Sequence, residues 1–208
     1  MKLDLNGRFF EIASKIADLI ELNLLFILTS LPIFTIGAST CATMTVLIRD
    51  VRGDKRPIAK SYFKAFGENF GKTTVMWIID LVFLSAILFD YMLAGGFGGI
   101  VRIALRSAAA AGLIVVGSLV IYEMSWTGLI ENSIGEIMRN SLILTFSRAP
   151  YSLLMTALWI SPPLMMYFAP EFLKFTVPVY IFIWPVLMAL ADAYLMERVL
   201  RPYLGEPE

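Results

Sequence analysis

Seven acidic residues stand where a chain gains nothing from acids unless they do something. Asp18 and Glu21 interrupt the first apolar stretch, Asp80 and Asp90 the next, and Glu123, Asp192 and Glu197 follow further on. Ionisable groups inside a membrane span are costly and usually face the interior of a helix bundle. The cytoplasmic-side acids have two readings. They pair with basic loops, or they line a polar cavity for a cation or a hydroxyl-rich solute. Asp80 is the deepest, about 10 Å in from Lys72 at 1.5 Å per helical residue. Asp80, Asp192, Glu21 and the uncharged Asn23 make up the candidate polar cavity, with Tyr194 as a further polar neighbour. Asp90 stands one Gly-rich turn away from Arg102 and Arg106, and an ion pair is expected there.

Other chemistries fall away on residue type and spacing. The chain has no histidine, which removes the Ser-His-Asp triad and histidine metal sites. The single cysteine, Cys41, forms no intramolecular disulfide, and its context, Ala38-Ser39-Thr40-Cys41, fits a buried small residue better than a lipidation site. Neither Asp80 nor Asp192 follows the Gly-x-Gly that marks an intramembrane aspartate dyad. Asp50 and Asp54 have the spacing of a magnesium-diphosphate motif, but Arg49, Arg52, Lys55 and Arg56 surround them and no second acidic cluster exists. Gly95-Gly96-Phe97-Gly98-Gly99 lacks the Lys-Ser/Thr of a phosphate loop and reads as a turn. No enzymatic activity, cofactor or metal is expected.

These residues need elements to hold them, and composition names the class. Of 208 residues 58% are apolar and only 16% charged, with a mean hydropathy of +0.75. A soluble domain of this size has about 45–50% apolar and about 25% charged residues. An integral membrane protein follows. Lys+Arg and Asp+Glu both number 17, so nothing points to nucleic acid. The expected fold is all-α, a polytopic helical bundle forming one domain over 1–208. Its spans lie at about 12–31, 33–48, 73–94, 103–124, 151–168 and 175–197. Six spans place 14 of the 17 basic side chains inside and 3 (Arg102, Arg106, Lys174) outside. Five spans, with 12–48 crossing once, give 11 and 6. The positive-inside rule favours six, with both termini cytoplasmic. The segment 33–48 is short for a span and rich in Thr, Ser and Gly. Lys15, Asp18 and Glu21 break what would be the apolar region of a cleavable signal.

Two segments should lie on the membrane rather than cross it. After Pro57, residues Ile58, Tyr62, Phe63, Phe66 and Phe70 share a helical face, while Lys60, Lys64 and Glu68 occupy another. An amphipathic interfacial helix over 57–71 is expected, turning into the span at Lys72. Phe63, Phe66, Phe70, Lys60 and Lys64 are its candidate docking residues. Ile134, Ile137, Met138 and Leu142 form a second such face, and the two helix-then-span layouts make a weak internal repeat of about 80 residues. Ser107 to Gly112 and Gly117 give one span a small-residue face for close helix approach. Pro162-Pro163, Pro178 and Pro185 should kink the last two spans.

The stretch from Ala17-Asp18-Leu19-Ile20-Glu21-Leu22-Asn23 through Thr29-Ser30-Leu31-Pro32 to Ile36-Gly37-Ala38-Ser39 resembles the opening signature of the YesL-like family of small bacterial membrane proteins. Tyr62-Phe63-Lys64-Ala65-Phe66-Gly67-Glu68-Asn69-Phe70 is similar to that family's second block, and Arg139-Asn140-Ser141-Leu142 also agrees, so the likeness covers nearly the whole chain. The family has no established activity, and its members often accompany oligosaccharide ABC importers. The resemblance implies a bacterial cytoplasmic-membrane protein serving carbohydrate uptake, with an ABC sugar permease or another membrane subunit as partner. It carries over no catalytic residue. An accessory subunit is the first expectation, and a small carrier or channel with acids along its path is the alternative.

Overall fold

A computed structural model describes residues 5–168 and 183–204, with side chains for 10–161 and 183–204. Every element among them is helical, as expected of an all-α bundle. The helices are α1 (Leu5–Ser30), α2 (Ile36–Val51), α3 (Ile58–Leu93), α4 (Gly99–Thr127), α5 (Ile134–Ser147), α6 (Ala149–Phe168) and α7 (Trp184–Leu204). Lys174, Pro178 and the start of the expected last span lie outside the described residues, as do both chain ends.

Pro32 divides the first apolar stretch, because the residue before a proline is pushed out of helical geometry. α1 ends at Ser30 and a short 3-10 turn, Ile33–Thr35, leads into α2. The Thr35 hydroxyl donates to the carbonyls of Thr29 (2.5 Å) and Pro32 (2.6 Å), taking up acceptors that the end of α1 leaves open.

The weakness of 33–48 as a membrane span has a structural reason. α2 is the centre of the bundle and packs against α1, α3, α4 and α7. Cys41 through Ile48 are all buried. A helix surrounded by helices benefits from small residues more than from bulk, and Gly37 lets the α3 backbone come close. The hydroxyls of Ser39, Thr40, Thr43 and Thr45 each donate to the carbonyl four residues back, so α2 satisfies its own polar groups without water. At its other end Gly53 adopts φ +90°, and the amides of Arg52, Gly53 and Asp54 close on the carbonyls of Ile48, Asp50 and Arg49.

The interfacial helix and the following span are one element. α3 runs 36 residues without a break, and the turn expected at Lys72 is absent. Neither Gly71 nor Lys72 removes a backbone donor, so nothing local stops the helix. The Lys72 ammonium instead donates to the Asn132 carbonyl beyond the end of α4.

α3 and α4 form a hairpin closed by the glycine turn. Arg102 donates to the carbonyls of Phe97 (2.6 Å) and Gly95 (3.3 Å), while Arg106 lies over the Tyr91 ring, 5.1 Å from its centroid. These contacts replace the ion pair expected with Asp90. The turn carbonyls and an aromatic face are nearer partners for the guanidinium groups than a carboxylate on the exposed side of α3.

α3, extended to Gly96, and α4 are each long and apolar enough to cross a membrane. Their halves nearest the glycine turn leave Val82, Phe83, Leu88, Phe89, Met92, Ile100 and Ile103 exposed. So much contiguous apolar surface suits lipid rather than water. α5 begins with a capping box: Ser133 and Glu136 exchange side-chain and backbone hydrogen bonds, which hold the exposed Glu136 carboxyl below its usual range. Of the face expected on α5, Ile137 is buried, Ile134 and Met138 half-buried and Leu142 exposed. Pro162 and Pro163 lie within α6 and Pro185 in the first turn of α7, where its missing donor costs nothing.

Candidate functional site

The α3–α4 hairpin fixes which buried groups meet. Gly112 faces Ile87 near its outer part and Lys72 reaches Asn132 at the other end. Between them Asp80 and Glu123 face each other within hydrogen-bonding reach, at 2% and 1% exposure. Asp80 Oδ2 and Glu123 Oε2 are buried without a hydrogen-bond partner. Among the described residues the ion pairs are Arg56–Asp54 (2.8 Å) and Lys64–Glu68 (3.9 Å), and neither involves these acids. The expected pairing of the deep acids with basic loops does not form at Asp80.

A second polar contact joins α4 to α6. Ser118 and Thr156 hydroxyls lie 2.8 Å apart, Tyr122 and Ser152 3.2 Å apart, and Ser152 donates to the Thr145 carbonyl at 2.9 Å. Gly117 makes room for Thr156 at this crossing. A third contact joins α6 to α7: the Trp159 indole donates to Asp192 Oδ2 at 2.5 Å. Asp192 is fully buried, and its Oδ1 has no hydrogen-bond partner. A fourth joins the start of α3 to α1 and α2, where Thr29 meets Ser39 at 2.9 Å and Tyr62 at 2.5 Å.

The sequence-derived cavity residues therefore occupy separate places. Asp80 lies in the α3–α4 contact, Asp192 in the α6–α7 contact, and Asn23 is buried on α1. Glu21, two residues from Asn23, points to the opposite, exposed side of α1, as does Asp18, and Tyr194 is exposed. A cleft between α1, α2, α6 and α7, lined by Phe26, Thr43, Met44, Trp159 and Ala189, has about 10 Å³ of room. That is enough for one water and not for a sugar.

The candidate docking face also divides. Tyr62 is fully buried, and Phe66 stacks on it at 6.2 Å between ring centroids. Phe66 and Phe70 are half-buried, with centroids 5.5 Å apart. Phe63 is 54% exposed, between exposed Lys60 and Lys64. Arg56 holds Asp54, so that acid belongs to a charge-balanced loop.

Glu123 is the functional candidate that sequence reasoning counted among the acids without placing at the site. The signal was coarse: a turn centred at residue 97 sets residue 80 level with about residue 114, on the helix that carries Glu123 but short of it.

Residues 19–91 are similar to a family described as a protein of unknown function, DUF624. No curated protein and no solved structure matches the chain. The matched segment covers the last 12 residues of α1, all of α2 and nearly all of α3, including Asp80 and the Phe63 face, and stops short of Glu123.

Proposed function

We propose that this chain is a non-enzymatic accessory or regulatory subunit of an oligosaccharide ABC importer in the bacterial cytoplasmic membrane. The observation that carries the reading is the exposed face of the first turns of α3. Phe63 stands exposed between Lys60 and Lys64 on a helix continuous with an apolar segment long enough to cross the bilayer. An aromatic flanked by cations suits a partner surface with an apolar pocket and an acidic rim, because aromatic anchors tend to dominate interfaces. The YesL-like resemblance supplies the kind of partner, a sugar permease, and the match over residues 19–91 fits it.

The carrier alternative draws less support. Its acids are taken up in separate helix contacts, and the cleft nearest Asp192 has the size of one water.

Co-purification in mild detergent tests the role. The tagged protein should bring down a permease or its solute-binding partner, and Phe63→Leu should weaken that recovery several-fold. Phe63 is the clean choice, because Phe66→Leu would also disturb the stack on buried Tyr62. Lys60 and Lys64 replaced together by Gln should lower recovery and flatten its salt dependence. Full recovery with all three substitutions would sink the docking surface. Saturable sugar uptake by the purified protein in liposomes would favour a carrier instead.

The topology proposed with this role has six spans and both termini inside. A cysteine at Lys60 should resist an impermeant thiol reagent in intact cells and react after permeabilisation. Labelling in intact cells would reverse the orientation.

A further inference from the structure

We infer that Asp80 and Glu123 form a proton-binding site at the α3–α4 contact, holding one proton between the two carboxyls. Three observations carry it. Both side chains are essentially fully buried, at 2% and 1% exposure, in helices long and apolar enough to cross a membrane. They face each other within hydrogen-bonding reach where α3 packs on α4, and a carboxylate has no donor, so a bond between them requires one of the two to carry a proton. Asp80 Oδ2 and Glu123 Oε2 are buried and no donor among the described residues reaches either, so two ionised acids would lack the donors to hold them there.

The charges around the pair leave the proton as its counter-ion. Lys72, one helical stretch away on α3, is turned to the Asn132 carbonyl. Arg148 and Asp192 act on Tyr122, the neighbour of Glu123. No ion pair reaches them from the described residues of α1, α2, α5, α6 or α7. Two carboxylates in contact at low dielectric repel strongly, and a shared proton removes that repulsion and adds a bond. The proton is thereby part of the α3–α4 contact. Its loss would set two negative charges against each other across the hairpin, and this follows whether or not the chain serves an importer.

Infrared spectroscopy of the full-length protein in nanodiscs tests the site. The wild type should show a protonated-carboxyl stretch at neutral pH that survives Asp192→Asn. Asp80→Asn and Glu123→Gln should each shift its frequency or lower its intensity, because the remaining buried acid then faces an amide in place of the carboxyl that shares its proton. A wild type without the band overturns the proposal with no variant needed. So does a band that keeps both its frequency and its full intensity in both amide variants. Loss of the wild-type band when sodium replaces a bulky organic cation at constant pH would overturn it in favour of a metal-cation site.

Discussion

Replacing Gly37 with alanine is expected to destabilise the bundle by about 2 kcal/mol or more, the upper part of the range for overpacking a close contact. A Cβ at this position would stand 2.6 Å from Trp77 Cβ and 2.8 Å from the Thr73 carbonyl oxygen. Neither can swing aside, since one is fixed to the α3 backbone and the other belongs to it. The Trp77 indole is also anchored through its hydrogen bond to the Ile33 carbonyl at 2.8 Å. The α2 and α3 axes would have to separate, loosening the contact on which the centre of the bundle depends. Gly112→Ala is the control. Its Cβ would meet the end of the Ile87 side chain at 3.1 Å, and that atom can yield. Thermal unfolding in detergent, read by size-exclusion fluorescence, should show a far larger loss for Gly37→Ala than for Gly112→Ala. Trp77→Ala added to Gly37→Ala should recover little of it, because alanine keeps the Cβ at position 77 and the Thr73 carbonyl remains. Equal, small losses for both glycines would mean that α2 and α3 do not approach this closely.

Asp80→Leu should cost about 3 kcal/mol by leaving Glu123 buried without its partner. Glu123→Met should cost a similar amount by stranding Asp80. The informative variant carries both changes. With both acids gone no polar group is orphaned, and leucine and methionine refill the space, so the double variant should be more stable than the sum of the singles allows by more than about 1 kcal/mol. Additive losses would show that the two carboxyls do not act as a unit. The same pair of single variants in a protein whose helices were packed differently would behave independently.

How much of this was legible beforehand depends on the range over which each signal acts. The break at Pro32, the glycine turn after α3 and the helix over 134–147 were written locally, in residues that restrict their own backbone. The continuity of α3 was missed because amphipathicity changes at Lys72 while helix propensity does not: a change of environment read as a change of direction. Asp90 went to no arginine because Tyr91 and the turn carbonyls competed for Arg106 and Arg102, and periodicity carries no information about such competition. The meeting of Asp80 with Glu123 needed the hairpin register, which the turn position supplies only approximately. The separation of Asp80 from Asp192 needed the packing order of α3, α4, α6 and α7, which no short-range pattern contains.

The unbroken α3 has a mechanical consequence. At 1.5 Å per residue its 36 residues measure about 54 Å, against about 30 Å of hydrocarbon core. An unbroken helix of that length is held at two levels, at Gly37 and Trp77 on α2 and at Tyr62 on Thr29, so it moves with α1 and α2 as one body. A tilt of about 10° within the bilayer would carry the tip at Phe63 sideways by several ångströms, with no hinge to absorb it. Whatever grips that tip therefore feels how the span leans, and by pushing on the tip it can lean the span in return.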